Sequence, residues 1–457
     1  MQKEEQFRAN WYAAAVVLAY ECACGVDIAQ VSVLVKPIER TYGIGDTEFA
    51  AIAVSSLYLG RTVLYYAGGV LADTYNRRNV LLASGILWTL AALSVTFAAH
   101  SWQLFASRLL SGIALSLGGA SIFHILVDSF SRSRRSIAIS LFGVGVQVGL
   151  GLGLALCGGI VAVADRIGPL VVPGIGRVLP WQLCFVFVAA LGVAVCCLLF
   201  TIREPTRLEV RHAHDKPNVL ESLRTFFWYS RRHGLLWAIF LPANYAFVGG
   251  VIVAIQTWQP TFAARVYHVP VGTAAAILGT LIAVTLSAGR LVGGAVAQTL
   301  VNRGNADLLP RTFAYFPAAA LVFTIAYPLA PSYPLSLGLM TVALLSAGIV
   351  AAFQVNAIQD TVPNEVRGQI LGFFSIVDFI SSLIGSALVA YISDRFFGGG
   401  AGLRYSLAIV GATCSAGAAI AFLFCVRPYQ AARRDLDPDA TARFGGRAEQ
   451  AALTLPS

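Results

Sequence analysis

Charge is what this chain has least of. Only 12% of its 457 residues are Asp, Glu, Lys or Arg, where an ordinary soluble domain carries about a quarter. With 57% hydrophobic residues and a mean hydropathy of +0.72, that shortage excludes a single soluble core, because a folded surface must be largely polar. Cysteine is present but unorganised. The eight cysteines are scattered, and Cys22 and Cys24 have no partner cluster at metal-ligand spacing, so they read as buried small hydrophobes. There is no Walker lysine after a glycine-rich loop, which argues against ATP as power source. No Ser/His/Asp set sits beside a nucleotide-binding domain. An enzyme, a cofactor and a metal are therefore not expected. The polar opening MQKEEQFRAN leads into no short apolar region with a cleavage site, so no cleavable leader is expected.

What the chain has is apolar runs. Runs of about 20 residues recur, each long enough to cross roughly 30 Å of hydrocarbon as a helix. Helices are expected because lipid offers backbone groups no partner. Six segments fall in each half, near 11–35, 49–71, 80–99, 102–127, 136–164 and 181–202, then 235–259, 273–300, 312–330, 333–359, 368–393 and 404–426. A polar turn is expected over Glu39 to Asp46. The expected division is 1–202 as an N-terminal six-helix bundle, 203–234 as a cytoplasmic linker, 235–427 as a C-terminal bundle and 428–457 as a disordered cytoplasmic tail. Within the linker, Asn218 and Glu221 form a helix-cap pattern ahead of an apolar face, predicting a short interfacial helix.

The net charge of +9 is carried mainly by short turns and the tail, a positive-inside distribution rather than a nucleic-acid surface. It places both termini in the cytoplasm. Lys36, Arg40, Arg166, Arg177, Arg265, Arg395 and Arg404 depart from that pattern. The halves also echo each other. Asp128 and Arg135 are seven residues apart, as are Asp360 and Arg367, at an offset of 232 residues. At that offset His124 falls on Asn356 and Gly153 on Gly385. Such an internal repeat suits two pseudo-symmetric bundles around a midplane site.

The stretch Gly60 to Arg78, GRTVLYYAGGVLADTYNRR, resembles the loop between helices 2 and 3 of major facilitator superfamily (MFS) transporters, with Thr74 and Asn76 replacing two positions of the pattern. Further pieces resemble its spinster-like branch, associated with export of lysophospholipids and sphingolipids: ADTYNRR at 72–78, Arg203-Glu204-Pro205, Trp258-x-Pro260-x-Phe262-x-x-Arg265, Asn305-Ala306-Asp307-Leu308, Asp378, and Asp27 followed by Gly43-Ile44-x-Asp46. The resemblance spans about residues 10 to 427. It implies an all-α polytopic fold of twelve transmembrane helices in a bacterial inner membrane, monomeric, transporting by alternating access. Two departures matter. Ile28 follows Asp27 where the branch has Arg, and Leu115 stands where it has a membrane glutamate implicated in proton coupling.

An ionisable group in hydrocarbon is costly, so it reads first as functional. Asp27 leads, with Arg108 as partner for it or for an acidic head group; a structural Asp–Arg pair is the alternative. Glu21 and Asp378 are further candidates for coupling. His124 is a candidate titrating group or a packing residue. Asn244, Gln256 and Asn356 are candidate cavity hydrogen-bonders. By resemblance, Asp73, Arg77 and Arg78 belong to a cytoplasmic gate, braced by Asp128 with Arg135 and Asp360 with Arg367. The expected partners are the bilayer, protons, and an amphiphilic or anionic small molecule, with no nucleic acid. Export of such an amphiphile is the leading expectation. A proton-coupled importer of small organic anions, an uncoupled facilitator and a non-transporting receptor are the rivals.

Overall fold

A computed structural model describes residues 10–64, 75–129, 135–172, 176–202, 231–234, 236–240, 247–303, 308–362, 385–398 and 400–436, with isolated positions between them. Helix dominates. Asn10 opens α1 (Trp11–Gln30) by accepting the Ala13 amide on its side chain, which satisfies one of the free N–H groups at a helix start. A 3₁₀ turn (Val31–Val33) carries the chain directly into α2 (Val35–Tyr42), which ends at Gly43 in the left-handed conformation. The expected turn over Glu39 to Asp46 is thus corrected: Glu39 is helical, and the break is confined to residues 43–45. The Gly43 N–H caps the Glu39 carbonyl at 2.8 Å, and the helix runs three residues past Glu39 before it breaks.

A short α3 (Asp46–Phe49) leads through a π-helical turn (Ala50–Ser55) into α4 (Ser56–Val63). Then follow α5 (Arg77–Ser94), α6 (Ser101–Asp128), α7 (Arg135–Ile167), a hairpin of β1 (Leu170–Val172) with β2 (Gly176–Val178), and α8 (Gln182–Thr201). In the second half a π-helical turn (Val248–Val253) precedes α9 (Ala254–Tyr267). The chain continues as α10 (Val271–Asn302), α11 (Leu309–Leu329), α12 (Tyr333–Thr361), α13 (Leu403–Phe424) and α14 (Val426–Leu436).

Eight helices among the described residues are long and apolar enough to cross a membrane. The all-α polytopic fold stands; the count of twelve rests on segments that lie partly outside the described residues. One boundary is corrected. The tail read as disordered from 428 is helical through Leu436. Tyr429 and Ala432 are fully buried, so an apolar stripe three residues apart docks this otherwise charged helix. The predicted linker helix near 218–227 lies outside the described residues.

Two apolar cores form, one mainly from each half. Within the first, α1 packs on α7 through glycine. A Cβ at Gly25 would meet the Val146 carbonyl oxygen at 2.6 Å, so only glycine permits that approach. Between the halves, α7 packs on α10. Gly151 lies against Gly279 there, and Gly158 against Gly272.

Candidate functional site

Side chains from α1, α5 and α6 converge to form the site. Asp27 and Arg108 are 0% and 1% exposed. Arg108 Nη1 donates to Asp27 Oδ1 at 2.7 Å, and its Nε donates to the Ala53 carbonyl at 3.3 Å. Ala53 lies in the π-helical turn, where irregular hydrogen bonding leaves carbonyls available to outside donors. Two further donors converge on the same carboxylate: Gln30 Nε2 on Oδ1 at 2.7 Å, and Trp88 Nε1 on Oδ2 at 3.1 Å. Phe185 flanks the guanidinium, its ring centroid 6.0 Å from Cζ. The sequence reading paired Asp27 with Arg108 but missed Gln30 and Trp88. A Gln one helical turn after an acid was a faint signal; Trp88 offered none.

Arg108 lines a cavity between the halves. Ser32, Tyr58 and Leu150 line it from the first half, and Gln256, Thr257 and Ile282 from the second. Both π-helical turns contribute wall, through Ala53, Val54 and Val253. Glu21 is buried at 8% exposure on a different face of α1, towards Gly145 of α7. It is not at the Asp27 carboxylate but interacts electrostatically with Arg61 of α4. Leu115, in place of the branch's glutamate, packs on the apolar core.

The remaining candidates divide. Arg78 donates to the carbonyls of Leu199 and Phe200, at 3.1 and 2.9 Å, and so caps the end of α8; a cation there suits the helix dipole. Arg77 is buried at the start of α5. Asp128, Arg135, His124, Asn356 and Asp360 sit on α6, α7 and α12, with side chains outside the described set. Asp73, Asn244, Arg367 and Asp378 lie outside the described residues altogether. No group of metal-ligating residues occurs among the described residues.

A second polar cluster joins the halves at one end of the bundle. Arg265 of α9 binds Asp46 of α3 through both nitrogens, Nη1 to Oδ2 at 2.6 Å and Nη2 to Oδ1 at 2.7 Å. Beside it, Thr47 Oγ1 donates to Asp394 at 3.1 Å, and Phe49 meets Trp258 edge-on at 6.2 Å. Burial would raise the Asp46 carboxyl, but Arg265 and a hydrogen bond from Glu39 outweigh it and hold it at about 2. The sequence signals were present but not joined: Arg265 broke the positive-inside pattern, and Asp46 stood at the exit of the first segment.

An all-α polytopic membrane fold enclosing a cavity lined by Arg108, itself ion-paired with a buried aspartate, is the arrangement of a membrane transport protein. The Major Facilitator Superfamily profile matches residues 17–386, and the chain belongs to that superfamily; it is a transporter, not an enzyme. The chain is 25% identical over 390 residues to the probable anion transporter 3, chloroplastic, of Oryza sativa subsp. japonica, covering 81% of this chain and 72% of that protein. It is 28% identical over 181 residues to the multidrug resistance protein MdtL of Escherichia coli, covering 39% of this chain and 42% of that one. Its fold is similar to the crystal structure of a bacterial homolog of the human lysosomal transporter Spinster, in an inward-facing and unoccupied conformation. The TM-score is 0.72, with 20% identity over 93% of this chain and 98% of that one.

Proposed function

We propose that this chain is a twelve-helix secondary transporter of a bacterial inner membrane, with both termini cytoplasmic. It exports an amphiphile with an acidic or zwitterionic head and an apolar tail. The observation that carries the reading is Arg108, which lines a mostly apolar cavity while paired with the fully buried Asp27. An anionic head group competes with Asp27 for the guanidinium, which presents a planar fork of donors, while Gln256 hydrogen-bonds from the other half. The tail lies along Leu150 and Ile282. The likeness to a spinster homolog in fold and the short sequence resemblances support the amphiphile; the anion-transporter relative supports the negative head.

The likeness to an anion transporter also suits a small anion as substrate, and with it a second reading, a proton-coupled importer of small organic anions acting through the same arginine. Binding and transport across lysolipids, sphingoid lipids and small carboxylates separates the two. Saturable binding of the lipids is expected, and tight binding of small hydrophilic acids alone overturns the amphiphile.

Proton coupling follows from competition at one pair. Protonation of Asp27 weakens its hold on Arg108, so proton and anionic substrate favour each other's binding. Coupling of that sign moves both in one direction and belongs to the importer reading, whereas export through the same pair runs down the substrate's own gradient. In weakly buffered solution, wild-type protein is expected to take up a proton as an anionic ligand binds, and Asp27→Asn to bind without uptake. Unchanged uptake in Asp27→Asn places the coupling elsewhere.

The Asp46–Arg265 cluster is proposed as the outer gate, closed in this structure. Arg265→Gln leaves a nearly buried carboxylate unpaired, a loss of about 3 kcal/mol, or roughly a hundredfold in the closed-to-open ratio. The exchange Asp46→Arg with Arg265→Asp should restore closure, read as protection of a cysteine placed in the cavity at Ser32. Equal protection in wild type and Arg265→Gln rejects the gate.

A further inference from the structure

Glu39 is a carboxylate that neither the central pair nor the gate bond uses. It lies on α2 at 8% exposure. Its Oε2 accepts from Lys36 Nζ at 2.6 Å. Its Oε1 is buried and meets no donor. What Glu39 does meet is Asp46, in hydrogen-bonding contact. Two ionised carboxylates can only accept, so that contact needs a proton between them. Asp46 is engaged at both oxygens by the Arg265 guanidinium and remains the anion. The proton therefore belongs on Glu39 Oε1, the one buried oxygen of the cluster without a donor.

We infer that Glu39 is a proton-binding site of the outer gate, occupied when Asp46 and Arg265 are joined and emptied when they part. The inference rests on the reading of that cluster as a gate. The charged groups facing Glu39 are Lys36 on its own helix, Asp46 from α3 and, beyond Asp46, Arg265 from α9, which also feels Asp394. With Glu39 neutral, its hydroxyl donates to Asp46 and reinforces the Asp46–Arg265 bond. With Glu39 ionised, two carboxylates are forced together in a nearly buried position, and separation relieves them.

The sign of the pH dependence follows. Burial first, and Asp46 second, push the Glu39 carboxyl up to about 7 in the closed gate, against the pull of Lys36. Opening hydrates it and returns it towards the ordinary value of about 4.3. The closed gate holds the proton more tightly, so acid favours closure. The contribution is complete below the open-state value and is lost as pH rises through about 7. Between about pH 6 and 8 the closed-to-open ratio should fall roughly tenfold. This proton enters and leaves on the gate side. It sets the gate and is distinct from the one exchanged at Asp27.

The test is a distance across the gate. Ala99 lies in the first-half turn bound by Tyr42 through the Ala98 carbonyl, and Ser332 beside the second-half turn bound by Tyr267 through the Ala330 carbonyl; both are exposed. Spin labels at Ala99→Cys and Ser332→Cys are introduced with Cys22, Cys197 and Cys414 replaced, and the protein is held in lipid nanodiscs without substrate. The short-distance population is expected to fall as pH rises from 6 to 8. Glu39→Gln, whose amide donates permanently to Asp46, should stay short throughout. A pH-driven change that survives in Glu39→Gln overturns the site. So does a flat wild-type profile in protein that still transports. Failure of wild-type protein to transport any lysolipid, sphingoid lipid or carboxylate overturns the proposed substrate classes instead, whatever the distances do.

Discussion

Arg108→Gln is expected to cost at least a hundredfold in affinity for an anionic ligand and about 3–5 kcal/mol in stability. The stability loss comes from Asp27, left buried with Gln30 and Trp88 as its remaining side-chain donors. Removing one member of a buried ion pair strands the other, which costs more than the pair contributed. The affinity loss comes from the missing guanidinium, since no other cation is placed on the described cavity wall. The double substitution Asp27→Asn with Arg108→Gln separates the two effects. It removes the stranded charge, so thermal stability in detergent should recover most of the loss while binding stays absent. If the double variant binds as tightly as wild type, the pair is structural and the ligand is recognised elsewhere.

Gly279→Val should act on conformation rather than on the fold. A Cβ at Gly279 collides with the Gly151 carbonyl oxygen, and one at Gly151 lies 2.6 Å from that of Gly279. Neither backbone can yield without parting α7 from α10. These helices belong to different halves, so rotation of one half against the other relieves the clash. The arrangement seen here should lose population by about two orders of magnitude, the effect of roughly 3 kcal/mol of overlap. The label pair at Ala99 and Ser332 should move to the long distance at every pH, with modest loss of thermal stability. Gly112→Val is the contrasting case. Its Cβ meets the Leu57 carbonyl oxygen and, at 2.8 Å, the Arg61 amide. Because α4 and α6 lie in the same half, rotation of the halves gives no relief, and several kcal/mol should be lost from the fold itself. Similar behaviour of the two variants would mean that the α7–α10 contact is a fixed packing surface.

The membrane class, the helical fold, the family and the Asp27–Arg108 pairing were legible in the residues alone. Hydropathy is a local property, and charge is so scarce in these segments that each buried ionisable group stands out. The short motifs carried the superfamily because their order along the chain survives where overall identity is low. Other features needed the packed structure. Glu39 looked like the start of a polar turn, yet helix α2 carries it four residues before the break and buries it beside Asp46. Asp46 and Arg265 lie 219 residues apart, and their bond exists only because the two halves meet with α3 against α9. Trp88 reaches Asp27 from α5, a helix held against α6 and α8, so the contact is set by packing that involves neither residue's own neighbours in sequence. Sequence by itself determined which segments enter the membrane and which scarce charges enter with them, since transfer from water to lipid is decided residue by residue. Tertiary structure alone decided which of those charges meet, because an ion pair or a shared proton depends on ångström-scale distances between helices that no local pattern sets.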